Sequence, residues 1–300
     1  MTIVRPVPLQ RGDWACVTAP AGPVPPDLLR SGLDRLVSRY AVHHDDRLTD
    51  RNGYLAGSDF VRLSGLQDAL DQTDAAVVIA ARGGYGTTRI LDSLDLTGLS
   101  TRPKWIVGSS DLTALLLRLW TDLGMLSIHG PMVARFDATE DEDVDDLFRL
   151  LEGGAWSAPD GLEPVCHGTA NGPLIGGNLT ILAHLCGAVD PGYADGAILF
   201  IEDVGEKPYR IDRCLVQLKR SGILPRLAGV LLGEFTDCEP GEDGVTVTDV
   251  LKEHLTPLRI PVAGSYPAAH GGRNAPFIHG GTVAMEVTSN GVLLISAGDI

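Results

Sequence analysis

Two serines and an aspartate, Ser109-Ser110-Asp111, stand where the apolar run 105–107 gives way to a helix-like run that begins near Leu112. Asp111 has the type and place of a helix cap, because a carboxylate there accepts from the orphan amides of the first turn. That role leaves Gly108, and a hydroxyl at the mouth of the strand, unaccounted for. A strand-to-helix elbow lifts a serine above the sheet edge and aims the next residue's amide at any oxyanion formed there. Residue types alone leave both readings open, since Gly-Ser-Ser-Asp departs from the G-x-S-x-G elbow signature.

Other residues invite chemistry of the same kind. Gly83-Gly84-Tyr85-Gly86 follows a second apolar run, 75–81. It is neither G-x-G-x-x-G nor a phosphate loop with its lysine, so it is either a tight connection or a set of amides approaching an oxyanion. Glu202 and Asp203 end the apolar run 197–201. Such carboxylates are solvated, paired with an arginine such as Arg210 or Arg213, or placed to orient a histidine. His270, in a loop of small residues, prolines and glycines, is better placed for proton transfer than His184, which sits inside an apolar helix. His43, His44 and His279 have no companions at metal-ligand spacing, and H-E-x-x-H is absent, so no metal is expected.

Holding these groups in place takes strands that end in tight turns. The apolar run 14–18 leads into the Pro/Gly-rich stretch 19–26, after which Leu29, Leu33, Leu36, Val37 and Tyr40 recur at helical spacing. Phe60, Leu63, Leu66 and Leu70 mark another helix. A run apolar at every position, like 75–81, suits a parallel strand covered on both faces. Strand, glycine turn and helix in repetition imply βαβ units in a doubly wound open sheet, whose ligands lie beyond the carboxyl ends of the strands. The acidic stretch from about Ala138, with Val144, Leu147, Leu150 and Leu151 as an amphipathic stripe, reads as a connection. Beyond it come helices near 178–187 and 209–222, strands near 197–204 and 227–235, and a hairpin signal at Asn290-Gly291. The expected division is an N-terminal α/β domain over 1–137, a connecting segment over 138–171, and a smaller mixed α+β domain over 172–300.

Composition bounds the function. Three hundred residues with 44% hydrophobic content can build a sizeable core, and the charge of −15 lacks the clustered Lys and Arg that bind a phosphate backbone, so nucleic acid is not an expected partner. No apolar run reaches the length of a membrane span and the opening residues lack a signal-peptide core, so a cytoplasmic location and no membrane partner are expected. Five widely spaced cysteines, never in C-x-x-C, suggest neither a disulfide framework nor zinc.

Taken together, these stretches resemble the serine peptidase family of LD-carboxypeptidases, which includes muramoyltetrapeptide carboxypeptidases and microcin C immunity peptidases. The matching motifs are NGYLAGSD (52–59), ARGGYGTTRILDSLD (81–95), VGSSDLTAL (107–115), HGPM (129–132), GGNLTILAHLCG (176–187), LFIEDVGEKPYRIDR (199–213) and the His270 loop, in the family's order. The resemblance implies a catalytic triad of Ser110, Glu202 and His270, with Ser109 in a variable slot and oxyanion donors at the Gly84 and Asp111 amides. Where members carry G-H-G-x-x-N, this chain reads A-H-G-G-R-N, with Ala269 before the histidine. A carboxypeptidase also needs a cation or amides for the substrate's terminal carboxylate, a task for Arg82 or Arg273. The resemblance further implies a flavodoxin-like N-terminal domain and a homodimer without cofactors. Its substrate would be a muropeptide, losing terminal D-alanine by cleavage of an L,D amide bond during cytoplasmic peptidoglycan recycling. An immunity-type amidase acting on peptidyl or aminoacyl nucleotides is the alternative, with Trp156 the aromatic that could stack a base. A non-catalytic ligand-binding protein on the same fold is the remaining class.

Overall fold

The computed structural model describes residues 2–268 and 270–296, in two compact units. The first takes the chain up to Ala155 together with Asn274–Ile278; the second takes Trp156–Arg273 and the residues from His279 on.

In the first unit, β1 (Trp14–Thr18), β2 (Ala41–His44), β3 (Ala75–Ala80), β4 (Trp105–Gly108) and β5 (Ser127–His129) form a parallel sheet in the order β2-β1-β3-β4-β5. This is the doubly wound order whose switch point falls between β1 and β3. Between the strands run α1 (Pro26–Val37), α2 (Asp59–Asp71), the single turn α3 (Thr87–Ile90), the short α4 (Thr97–Thr101) and α5 (Thr113–Leu123). Local chemistry sets their ends. Pro26 opens α1, Ser58 Oγ accepts from the Val61 amide to start α2, and Gly124 closes α5 in the left-handed region. The apolar runs are buried as patterned: four of the five β1 residues and every residue of β4 are buried.

The acidic stretch expected as a connection is α6 (Asp141–Leu151), and it packs as part of the first unit. Val144, Leu147, Phe148, Leu150 and Leu151 are buried, Phe148 meets Tyr40 edge-on, and Glu152 pairs with Arg39 at 3.0 Å. The amphipathic stripe is the one read in the sequence; with Phe148 added it is wide enough to hold the helix on the core rather than leave it as a connection.

The second unit is built on a mixed sheet of β6 (Glu163–Cys166), β7 (Gly168–Asn178), β8 (Ile198–Val204), β9 (Gly229–Thr236) and β10 (Val262–Gly264), followed by β12 (Thr282–Thr288) and β13 (Gly291–Ser296). Its order is β13-β12-β7-β8-β9-β10-β6, with β7, β8, β9 and β10 parallel. The hairpin at Asn290-Gly291 joins β12 to β13 in antiparallel register. Helices α7 (Leu179–His184), α8 (Pro208–Arg220) and α9 (Val247–Leu255) complete the unit. The strand β11 (Phe277–His279) adds to the first sheet beside β5, where Phe277 stacks on His129 with ring centroids 4.9 Å apart.

Candidate active site

β4 ends in a sharp elbow. Ser109 is extended and buried, and Ser110 then turns to φ +58, a left-handed conformation that a side chain adopts at a cost of about 1–2 kcal/mol. Ser110 is partly exposed. The glycine turn lies against it: a Cβ on Gly83 would stand 3.1 Å from Ser110 Oγ and 3.0 Å from its Cβ. Gly84 follows at φ +112, and the loop after β1 leans on the same turn through the Gly22 amide, which donates to the Gly83 carbonyl at 3.0 Å. Ser110, the glycine turn and the Asp111 amide are thus gathered at the carboxyl ends of β3 and β4.

Asp111 does not cap its own helix. Its side chain is 1% exposed, and its Oδ2 accepts from the Thr87 amide at 2.8 Å, so the carboxylate caps the first turn of α3 across the sheet edge. Burial pushes its carboxyl up, offset by the Thr87 bonds and by Arg62. The structure also places Ser109 in a supporting contact, its Oγ accepting from Asn274 Nδ2 at 3.4 Å. The Asn274 amide donates to Asp143 at 2.7 Å. Asn274 closes the A-H-G-G-R-N stretch already singled out, whereas Asp143 did not stand out, because a buried aspartate in an acidic run has no separate signature.

In the second unit, the neighbouring carboxylates Glu202 and Asp203 serve different partners. Successive strand residues face opposite ways, so one meets the loops and the other the helices. Asp203 accepts from Asn178 Nδ2, the Val204 amide, and the Thr180 amide and hydroxyl, all within 3.0 Å, and so holds the start of α7. Glu202 is 1% exposed, and its Oε2 lies 3.0 Å from His270 Nδ1. Burial pushes its carboxyl up, and the His270 contact offsets part of that. An ionised carboxylate can only accept, so opposite it a neutral ring carries its proton on Nδ1. Neither Arg210 nor Arg213 takes Glu202; Arg210 pairs with Glu206 at 3.3 Å.

Arg82 is exposed and its Nη1 donates to the Pro23 carbonyl at 2.8 Å; Arg273 is partly buried. Ala269 lies outside the described residues. His184 ends α7, while His279 is fully buried with its imidazole held neutral, its pKa pushed down to about 3 by desolvation. Among the described residues no group of three or more His, Cys, Asp or Glu side chains could hold a metal ion, and no helix is long and apolar enough to cross a membrane.

Comparison with known proteins matches both halves of the chain to one family. Residues 16–130 match the LD-carboxypeptidase N-terminal domain and residues 171–285 the LD-carboxypeptidase C-terminal domain. The murein tetrapeptide carboxypeptidase of Pseudomonas aeruginosa is 33% identical over 89% of this chain and 91% of its own. The crystal structure of muramoyltetrapeptide carboxypeptidase from Oxalobacter formigenes covers 94% of this chain and 97% of its own, with 30% identity and a TM-score of 0.79. The structure of MccF in complex with glutamyl sulfamoyl guanosine shares the fold, with a TM-score of 0.86 at 20% identity over 98% of each chain. A strained serine elbow in one half and a buried Glu202 paired with a half-buried His270 in the other, carried on these two matched domains, mean that the chain belongs to the LD-carboxypeptidase family of serine hydrolases.

Proposed function

We propose that this protein is a carboxypeptidase that releases terminal D-alanine from muramoyl tetrapeptides by hydrolysing an L,D amide bond. The observation that carries the reading is Ser110 at φ +58 against the glycine turn, a conformation whose strain is repaid by presenting a nucleophile. Ser110 Oγ attacks the amide carbonyl while His270 Nε2 takes the hydroxyl proton, and Glu202 steadies the imidazolium. The Gly84 and Asp111 amides receive the oxyanion. As the C–N bond breaks, His270 returns the proton to the departing amine of D-alanine, and water then opens the acyl-serine by the same steps in reverse. Arg82 and Arg273 are the cations we assign to the terminal carboxylate.

The same reading places the enzyme in cytoplasmic peptidoglycan recycling as a homodimer, with no cofactor. It draws the nucleophile from residues 1–137 and the acid–base pair from residues 172–300. Mass spectrometry of products from two defined muramoyl tetrapeptides, one with lysine and one with diaminopimelate at the penultimate position, tests it against an aminoacyl sulfamoyl adenosine. Release of D-alanine from at least one tetrapeptide is expected. Turnover of the nucleotide compound alone would replace this reading with the immunity-type amidase.

A further inference from the structure

Arg62 is 2% exposed, and its guanidinium is spent on backbone more than on charge. Nη1 donates to the Pro20 carbonyl at 2.5 Å and to the Gly86 carbonyl at 2.7 Å, while Nη2 pairs with Asp59. Asp59 is itself gripped by both arms of Arg89, between 2.7 and 3.1 Å. Burying a guanidinium costs several kcal/mol, about as much as a good pairing recovers, so its retention at this depth points to what it holds in place.

What it holds is one end of a single peptide unit. The Gly86 carbonyl accepts from Arg62 at 2.7 Å, and the Thr87 N–H of the same peptide donates to Asp111 at 2.8 Å. A cation at the oxygen and an anion at the N–H both favour the charge-separated resonance form of the amide, so each bond strengthens the other across a planar, rigid group. Only glycine fits at 86: φ is +136, and a Cβ would stand 2.6 Å from Arg62 Nη1. Through Pro20 the same nitrogen also fixes the loop after β1, whose Gly22 amide bonds the Gly83 carbonyl. The turn carrying Gly84 is therefore tied at its far end by two buried charges of opposite sign, one of them adjacent to Ser110.

We infer that Arg62 and Asp111 are positioning residues coupled through the Gly86–Thr87 peptide, and that this coupling fixes the glycine turn for the reaction assigned to Ser110. The inference rests on the functional reading above. It extends it by giving Asp111 a side-chain role distinct from that of its backbone amide.

The test compares Arg62→Met, Arg62→Lys, Asp111→Asn and the two double variants, reading kcat and KM on a muramoyl tetrapeptide and the Thr87 amide resonance by NMR. Arg62→Met should move the Thr87 amide proton upfield although Arg62 touches the opposite end of that peptide. It should lower kcat about 10²-fold with KM changed by less than about threefold, as expected when a donor is misplaced without loss of ground-state binding. Combining it with Asp111→Asn should cost less than the product of the single effects. Arg62→Lys, whose compact ammonium cannot span the same acceptors, should fall between and serves if the Met variant does not fold. A Thr87 resonance unmoved by the Arg62 variants, or strictly multiplicative losses in kcat, would overturn the coupling. If the wild type cleaves no tetrapeptide, the functional reading fails by itself and the Thr87 resonance still decides whether the two charges communicate.

Discussion

His270 Nδ1 lies 3.0 Å from Glu202 Oε2, and the carboxylate is 1% exposed, so the ring's orientation is set by a partner that water scarcely reaches. In that setting Glu202→Gln keeps the shape but lets the opposite tautomer compete. A fall in kcat of about 10³- to 10⁴-fold is expected, measured on a tetrapeptide with folding checked by circular dichroism.

The same carboxyl has a pH signature in stability. Burial raises its pKa in the folded protein above the ordinary 4.5, so the native state holds the proton over a window in which the unfolded chain has lost it. Its contribution to stability is therefore full below about pH 4.5 and declines as pH rises through the elevated value. Urea unfolding of wild type and Glu202→Gln should show the wild type's relative stability falling from acid toward neutral pH. A difference that grows in that direction would contradict the assignment.

Ser110 offers a test in which activity and stability part company. Ser110→Ala should reduce turnover by about 10⁴-fold or more while keeping the left-handed strain. Ser110→Gly should be equally inactive yet more stable than the alanine variant by about 1 kcal/mol, read from thermal or denaturant unfolding. Ser109→Ala is the control: it loses only the bond from Asn274, and kcat should stay within about tenfold of wild type.

His279 works in the opposite sense from Glu202. Its pKa is pushed down to about 3 from 6.5, so below pH 6.5 the unfolded chain takes up a proton that the native state refuses. Stability contributed above that pH is lost as pH falls toward 3, with a slope of up to about 1.4 kcal/mol per pH unit. His279→Leu should flatten this part of the acid-unfolding profile.

In the first unit β2 and β5 carry no apolar run to read, whereas β1, β3 and β4 were legible because their burial is nearly complete: 75–81 and 105–107 carry no polar residue, and α2 begins at a serine cap. Strand β7 was not. Its sequence, GTANGPLIGGN, has the composition of a loop. The glycines are there because neighbouring backbone comes too close for a side chain: a Cβ would stand 2.0 Å from the Gly196 carbonyl at Gly172 and 2.1 Å from the Phe200 carbonyl at Gly176. Gly176→Ala should accordingly cost more than about 3 kcal/mol or abolish folding, seen as a loss of the cooperative unfolding transition. The site divided along similar lines. Ser110, Glu202 and His270 lie in stretches that the family resemblance singles out, whereas Arg62 and Asp143 look like ordinary surface charges until their burial is known.

The return of Asn274–Ile278 to the first unit gives the chain a built-in order of assembly. During synthesis the elbow at Ser110 emerges early, but the residue that bonds its neighbour Ser109, and the strand that completes the sheet beside β5, are not both available until His279 has left the ribosome. A fragment ending at Ala155 therefore carries Ser110 without its finished frame, and splitting the gene between the two units would not yield two self-sufficient proteins.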